Sequence, residues 1–239
     1  MEAAELLAPL AEAPRGSALV FDVDGTLAPI VARPELAEVP PATRSELERL
    51  AGRYALVACV SGRAGEDARR LVGVSGVEYV GNHGLELDPR AGELAARIAA
   101  FREAEGLPVE DKRLSLSYHY REAADPDHAR ARLEEVAARA QAAGLDARWG
   151  RMVLEVRPPI AADKGTAVRT LLERSQARRG LYAGDDTTDL DAFAGLTGAG
   201  LEHAVRVAVA SEEGPAELRE AADLVVAGPE ELAALLRLL

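Results

Sequence analysis

Two aspartates stand two residues apart in Phe21-Asp22-Val23-Asp24-Gly25-Thr26, at the end of an apolar run. In an extended strand such residues point to one face, so both carboxylates meet at the strand's end. Converging carboxylates repel each other and need a cation, and oxygen-only ligands favour Mg2+ over Zn2+. Gly25 permits a sharp exit that lets the backbone approach a ligand closely. Alone, the segment also reads as a strand closed by an Asx-rich turn.

Other clusters weaken that second reading. Ser61-Gly62-Arg63 follows a buried run and precedes a helical pattern, offering a hydroxyl and free N–H groups to a phosphate. A serine there is also an ordinary helix N-cap. In Asp163-Lys164-Gly165 the aspartate reads as a cap and the lysine as a phosphate ligand. Gly184-Asp185-Asp186-Thr187-Thr188-Asp189 sets three acids beyond another apolar run, with Thr188 or Asp189 available to cap the next helix. Three acids so placed repel unless a metal or cations lie near. Each of the four clusters falls at the C-terminal end of a strand, where open α/β sheets bind ligands. A fifth loop, Gly81-Asn82-His83-Gly84, carries a histidine that reads as a turn residue or as a ligand contact.

The elements that position these residues follow from periodicity. Apolar runs at 18–22, 55–60, 77–80, 181–183, 205–210 and 224–226 alternate with helical patterns at 41–53, 165–177, 189–196 and from Pro229 onward. That alternation predicts a doubly wound, Rossmann-like parallel sheet. Residues 1–14 read as a short amphipathic lead-in helix. Between 88 and 159 the texture changes: 114–120 alternates as a half-wet strand, 126–143 is helical and 152–156 is again a strand. The simplest description is a strand–helix–strand insert. The expected organisation is an α/β core at 1–87 and 160–239, with a smaller inserted α/β cap at 88–159.

The 239 residues are 48% hydrophobic and 28% charged, without an apolar run long enough to span a membrane. The acidic N-terminal stretch, with Glu2, Glu5 and Glu12, lacks the basic region of a secretory signal. Cys59, the single cysteine, sits in an apolar run and fits a buried residue in a reducing cytoplasm. A net charge of −12 argues against nucleic acid and anionic membranes as partners. It also requires that a phosphate-binding site be made locally positive by a metal, a few cations and helix N-termini. No obligate protein partner is evident. His128 and His203 read as structural or solvent-exposed.

The four clusters, in this order, resemble the haloacid dehalogenase-type phosphatases. The resemblance implies that Asp22 attacks phosphorus and forms an aspartyl-phosphate, while Asp24 protonates the leaving oxygen and then activates water. It implies that Ser61, with Gly62 and Arg63, and Lys164 hold the phosphoryl oxygens. Mg2+ would be held by Asp22, the carbonyl of Asp24 and Asp185, with Asp189 assisting. The segments from Asp22 to Ile30, Ser61-Gly-Arg, Gly81-Asn-His-Gly, Val109-Glu-Asp-Lys112, His119-Tyr-Arg121, Val153-Leu-Glu-Val-Arg-Pro158, Asp163-Lys-Gly and Gly184-Asp-Asp-Thr-Thr-Asp are similar to those of trehalose-6-phosphate phosphatases. The motifs of the insert are the specific ones. They imply that Glu110, Lys112, Arg121 and Glu155, with His83 beside them, contact the sugar, so that the chain hydrolyses trehalose 6-phosphate to trehalose and phosphate in trehalose biosynthesis. From the residues alone, Glu110 and Lys112 read as a solvated turn. Glu155 shares its face with Val153 and Arg157 while Leu154 and Val156 face the other way. Leu190, where the family often has an acid, and Ala162, where an aromatic often stands, depart from the pattern. Sucrose phosphate, mannosyl-phosphoglycerate and glucosylglycerol phosphate are alternative substrates, and a non-catalytic sugar-phosphate sensor is the alternative from another class.

Overall fold

The computed structural model describes residues 2–31, 36–105, 107–150, 152–210 and 214–239. Helix α1 (Ala3–Glu12) buries Leu7 and Leu10. It is followed by strand β1 (Ser17–Phe21), helix α2 (Pro41–Ala51), strand β2 (Leu56–Val60), helix α3 (Gly65–Val72) and strand β3 (Glu78–Val80). Helix α4 (Ala91–Glu105), strands β4 (Glu110–Asp111) and β5 (Leu116–His119), helix α5 (Pro126–Ala142) and strands β6 (Asp146–Gly150) and β7 (Val153–Arg157) come next. Then follow α6 (Lys164–Ser175), β8 (Arg179–Gly184), α7 (Asp189–Thr197), β9 (His203–Val209), α8 (Ala216–Ala221), β10 (Leu224–Val226) and α9 (Pro229–Leu236). The chain divides into two compact units, Met1–Gly84 with Ala162–Leu239, and Leu85–Ala161.

The first unit is built on a six-stranded sheet of order β10-β9-β8-β1-β2-β3, with every pairing parallel. β1 is buried at all five positions, as a central strand covered on both faces must be. Strands β2 and β3 lie to one side of β1 and β8 to β10 to the other, so the order reverses beside β1. Such a switch point opens a crevice at the strands' C-terminal ends. The registers bring those ends level: Phe21 pairs with Cys59 on β2 and with Ala183 on β8. Asp22, Ser61 and Asp185 therefore leave neighbouring strands at nearly one height. Behind the sheet, α6 and α7 meet backbone to backbone. A Cβ on Gly195 would strike the main chain of Gly165, and one on Gly165 would strike the carbonyl of Asp191. This close approach draws together the N-terminal residues of the two helices, Lys164 and Asp189.

The second unit carries a four-stranded antiparallel sheet of order β4-β5-β7-β6. The strand–helix–strand reading of this region was too simple, because α4, β4 and β6 are additional. Helix α4 buries only Ala91, Ile98 and Phe101 over fifteen residues, so its apolar stripe is thin. β6 is an edge strand with Arg148, Trp149 and Gly150 exposed, and it lacks the apolar run that marks a buried strand. One face of the sheet packs Leu116, Tyr118, Leu154 and Val156 against Leu133, Val136 and Ala140 of α5. Along the other face, register aligns Glu110, Ser117, Glu155 and Arg148 in one row. Among the described residues, no helix is long and apolar enough to cross a membrane.

Candidate active site

At the end of β1 the chain turns tightly, with the Gly25 N–H donating to the Ala28 carbonyl. Gly25 sits at φ +83, and a Cβ there would strike the carboxylate of Asp185. Glycine is needed on both counts, because a side chain would displace the acid across the crevice. Thr26 donates from Oγ1 to Oδ1 of Asp185 at 3.1 Å, tying this turn to the end of β8.

Lys164 is the cation of the crevice. Its ammonium, with a side chain only 3% exposed, lies 2.8 Å from Oδ1 of Asp22 and 2.7 Å from Oδ1 of Asp189. The capping reading of its motif holds. Asp163 is a true N-cap, accepting from the Thr166 N–H while Thr166 Oγ1 accepts from the Asp163 N–H. That cap starts α6 at Lys164 and sends the lysine into the crevice. Burial works against the ammonium charge, but Asp189 and Asp22 overcome it and hold its pKa above the ordinary value.

Asp189 organises the opposite wall. Its Oδ1 accepts from Lys164 and from the phenol of Tyr182, at 2.7 and 2.6 Å. Its Oδ2 accepts from the N–H groups of Asp185 and Asp186, both at 2.9 Å. Two bonds on each oxygen use the carboxylate's four acceptor positions. The expected capping role is filled by neither candidate: Thr188 stands at the N-cap without a side-chain cap bond, and Asp189, inside α7, instead holds the loop that precedes the helix. Sequence reading missed Tyr182 and Thr26. The signal for Tyr182 was a phenol in an otherwise aliphatic run that ends at acids, because a buried Tyr hydroxyl needs a partner.

Asp22, Asp185 and Asp189 each offer an oxygen within 4.8 Å of the others, and all three are buried. Burial, the repulsion of Asp189 and Asp185, and only partial relief from Lys164 raise the pKa of Asp22 well above its usual value. Burial and then Asp189 push Asp185 up to about 7. These shifts are the mark of a site with too little positive charge of its own. A hard divalent cation fits the oxygens of Asp22 and Asp185, with Asp189 already committed beside them, and would return both groups to their ionised forms.

Beside this cluster, Asp24 projects from the turn and is held by Arg63, whose Nε and Nη2 donate to Oδ2 and Oδ1 at 2.7 and 2.6 Å. Ser61 is buried, and its Oγ accepts from the Arg63 N–H. The His83 N–H donates to the Ser61 carbonyl, and His83 lies so close over Gly62 that a Cβ there would strike its ring. His83 and Asn82 both adopt φ +53, a left-handed bend that explains the short turn. Burial pushes the Cys59 thiol far up its scale, which leaves it an inert core residue. His203 bonds the Leu6 carbonyl and is structural.

In the second unit, Glu110 takes His119 Nε2 at 2.8 Å and lies 3.7 Å from the ammonium of Lys112. Glu155 is half-buried and accepts from Ser115 Oγ at 3.2 Å, while Leu154 and Val156 are fully buried on the reverse face. Glu110 and Glu155 therefore share one polar face of the sheet, with Lys112 beside Glu110. Arg121 stands exposed on the turn after β5.

Residues 20–100 and 98–226 match the Trehalose-phosphatase family. The chain is 38% identical over 210 residues to a trehalose-phosphate phosphatase of Mycobacterium avium, covering 77% of this chain and 52% of that protein. It thus spans about half the length of this curated relative. Among solved structures, it is similar to a trehalose-6-phosphate phosphatase related protein (TM-score 0.73, 25% identity, 92% of this chain and 95% of that one). It is also similar to the Aspergillus fumigatus trehalose-6-phosphate phosphatase (TM-score 0.62, 27% identity, 99% and 97%). With the family's sequence match running across both units and the buried Asp–Lys cluster at the switch point of the sheet, the chain belongs to the trehalose-phosphatase family.

Proposed function

We propose that this chain is a Mg2+-dependent phosphatase that hydrolyses trehalose 6-phosphate to trehalose and phosphate. The observation that carries the reading is the Lys164 ammonium bridging Asp22 and Asp189 beside a further acid, Asp24. Asp22 is the nucleophile. Its Oδ2 attacks phosphorus while Oδ1 stays on Lys164, and an aspartyl-phosphate forms as the sugar oxygen departs. Asp24 gives its proton to that oxygen, then takes one from the water that cleaves the aspartyl-phosphate. Lys164, Ser61 and the N–H groups after Ser61 bind the phosphoryl oxygens, an arrangement suited to a transfer that depends on positioning and charge neutralisation. Mg2+ would be held by Asp22, Asp185 and the carbonyl of Asp24 and would supply charge neutralisation for the phosphoryl transfer. Asp189 serves the metal indirectly, because its acceptor positions are taken up in fixing Lys164, Tyr182 and the loop that carries Asp185. The buried thiol of Cys59 accords with a cytoplasmic setting.

Glu110, Lys112, Glu155 and Arg121 are assigned to the sugar, with His83 at the phosphate side. Carboxylates and cations together suit hydroxyls that both donate and accept. Phosphate release should be measured over trehalose 6-phosphate, glucose 6-phosphate and sucrose 6-phosphate, with and without chelator. Trehalose 6-phosphate is expected to lead in kcat/KM, and Glu155→Ala to lower that value about 10- to 100-fold, as for a lost hydrogen bond to a charged group. Equal turnover of glucose 6-phosphate would defeat the substrate assignment and leave the phosphatase standing.

Metal binding also has a signature independent of turnover. A raised carboxyl pKa in the folded state means stability that is complete below the unfolded value and lost as pH rises through the folded one. For Asp185 that window runs from about 4 to about 7, and Asp22 acts in the same direction. Metal-free protein is therefore expected to melt lower at pH 8 than at pH 5. Mg2+ at about 100 times its Kd contributes roughly 2.7 kcal/mol, or about 5–10 °C in Tm for a chain of this size. Thermal melts should show that gain at pH 8 and much less of it at pH 5. A gain independent of pH would separate the metal from these carboxylates.

A further inference from the structure

We propose that Arg63 is the positioning residue of Asp24, fixing its carboxylate in the orientation from which it exchanges protons during phosphoryl transfer. The inference rests on the phosphatase reading above and assigns Arg63 a task different from the phosphate contact expected of it.

The geometry that carries it is the fork. Nε donates to Oδ2 at 2.7 Å and Nη2 to Oδ1 at 2.6 Å, the paired arrangement in which Arg and carboxylate fix each other's plane. This edge of the guanidinium is also the one that would grip two phosphate oxygens, and here it is committed to Asp24. The acid needs such a partner. Its side chain is 41% exposed, and an aspartate at the rim of a turn otherwise samples several rotamers. Arg63, by contrast, is anchored. Its N–H donates to Ser61 Oγ at 3.1 Å and its carbonyl accepts from the Asn82 N–H at 2.8 Å, so its backbone is tied at the end of β2 and at the loop after β3. The fork thus carries the rigidity of two strand ends to an acid on a third, 39 residues away in the chain.

Each Asp24 oxygen accepting one bond from Arg63 keeps a second lone pair for catalysis. In the first half-reaction a proton held there passes to the sugar oxygen as its bond to phosphorus breaks and the Asp22–phosphorus bond forms. In the second, the same position takes a proton from water as the water oxygen bonds to phosphorus and Asp22 is released. Both halves need the lone pair aimed at the reacting oxygen, and a misplacement of about 1 Å costs on the order of 10²-fold.

The test compares parent, Arg63→Ala and Arg63→Lys proteins with Mg2+ on p-nitrophenyl phosphate and trehalose 6-phosphate, by stopped flow and steady state. Nitrophenolate leaves without a proton, so the first half-reaction with that ester does not depend on Asp24, whereas the second does. Arg63→Ala is expected to release about one equivalent of nitrophenolate per site in a burst, followed by turnover about 10- to 100-fold slower than the parent, with a lowered KM. With trehalose 6-phosphate no burst is expected and kcat falls similarly. Arg63→Lys restores the charge without the fork and should keep the burst. A raised KM for both esters without a burst would make Arg63 a phosphate ligand and overturn the proposal. So would a loss of active sites with the parent's transient. A crystal structure of Arg63→Ala supplies a readout that needs no turnover: Asp24 retaining the parent rotamer would overturn the positioning role. Parent protein that releases no phosphate from either ester would sink the phosphatase reading, and the crystal structure would still decide whether Arg63 orders Asp24.

Discussion

Asp22→Asn is expected to lower phosphate release from trehalose 6-phosphate by about 10⁴-fold or more, the scale on which removal of an attacking group acts. The melting temperature should not fall with it. The raised pKa of Asp22 means that the folded protein disfavours its ionised form, first through burial and then through Asp189 and Asp185, even with Lys164 beside it. A neutral isostere removes that cost while Lys164 keeps Asp189. Metal-free protein carrying Asp22→Asn is therefore expected to melt at or above the parent at pH 8, a common exchange of activity for stability in charged sites. Phosphate release and thermal melting on the same preparation check both halves. Activity within tenfold of the parent would remove Asp22 as nucleophile.

Lys164→Ala is expected to act on both quantities at once. It withdraws the buried ammonium from Asp22 and Asp189 and leaves the cluster with carboxylates only. Removing one partner of a buried ion pair costs about 3–5 kcal/mol, or a fall in Tm of roughly 10 °C for a chain of this length. Activity should be lost with the phosphoryl contact. Three further measurements locate the cause. The fall should be smaller at pH 5 than at pH 8, because Asp185, with its pKa of about 7, is protonated there. Mg2+ should restore part of the stability. Asp22→Asn combined with Lys164→Ala should cost less than the sum of the two, since the first substitution removes a charge that the second leaves uncompensated. Strict additivity would place the two residues in separate environments.

How much of this was legible in the order of residues follows from the range over which each feature is determined. Each motif of the first unit lies within a few residues of an apolar run, so strand ends and the acids beyond them could be read locally. β1 was expected at 18–22 and is found at Ser17–Phe21, and β10 was expected and found at 224–226. The next helix was expected from residue 165 and starts at Lys164, capped by Asp163 as read, while the Thr166 half of the capping box was not read. The second unit was harder. Its sheet has one apolar face, its edge strand β6 is mostly exposed, and α4 carries only three buried residues, so neither periodicity stands out.

The first pair of acids shows the division most sharply. Local residue order is enough to place Asp22 and Asp24 at the end of a buried strand, because an apolar run followed by Asp-x-Asp-Gly has few other solutions inside a parallel sheet. It is enough, too, to gather acids, a lysine and a serine at one edge, since every one of them follows a strand or starts a helix. Which partner each acid receives is settled by the packed fold. Lys164 lies between Asp22 and Asp189, Thr26 reaches Asp185 across 159 residues, and Arg63 takes Asp24. Those choices depend on strand register and on two glycines that let α6 and α7 touch. Such quantities are set by the packing of segments distant in the chain, and no local pattern of residues encodes them.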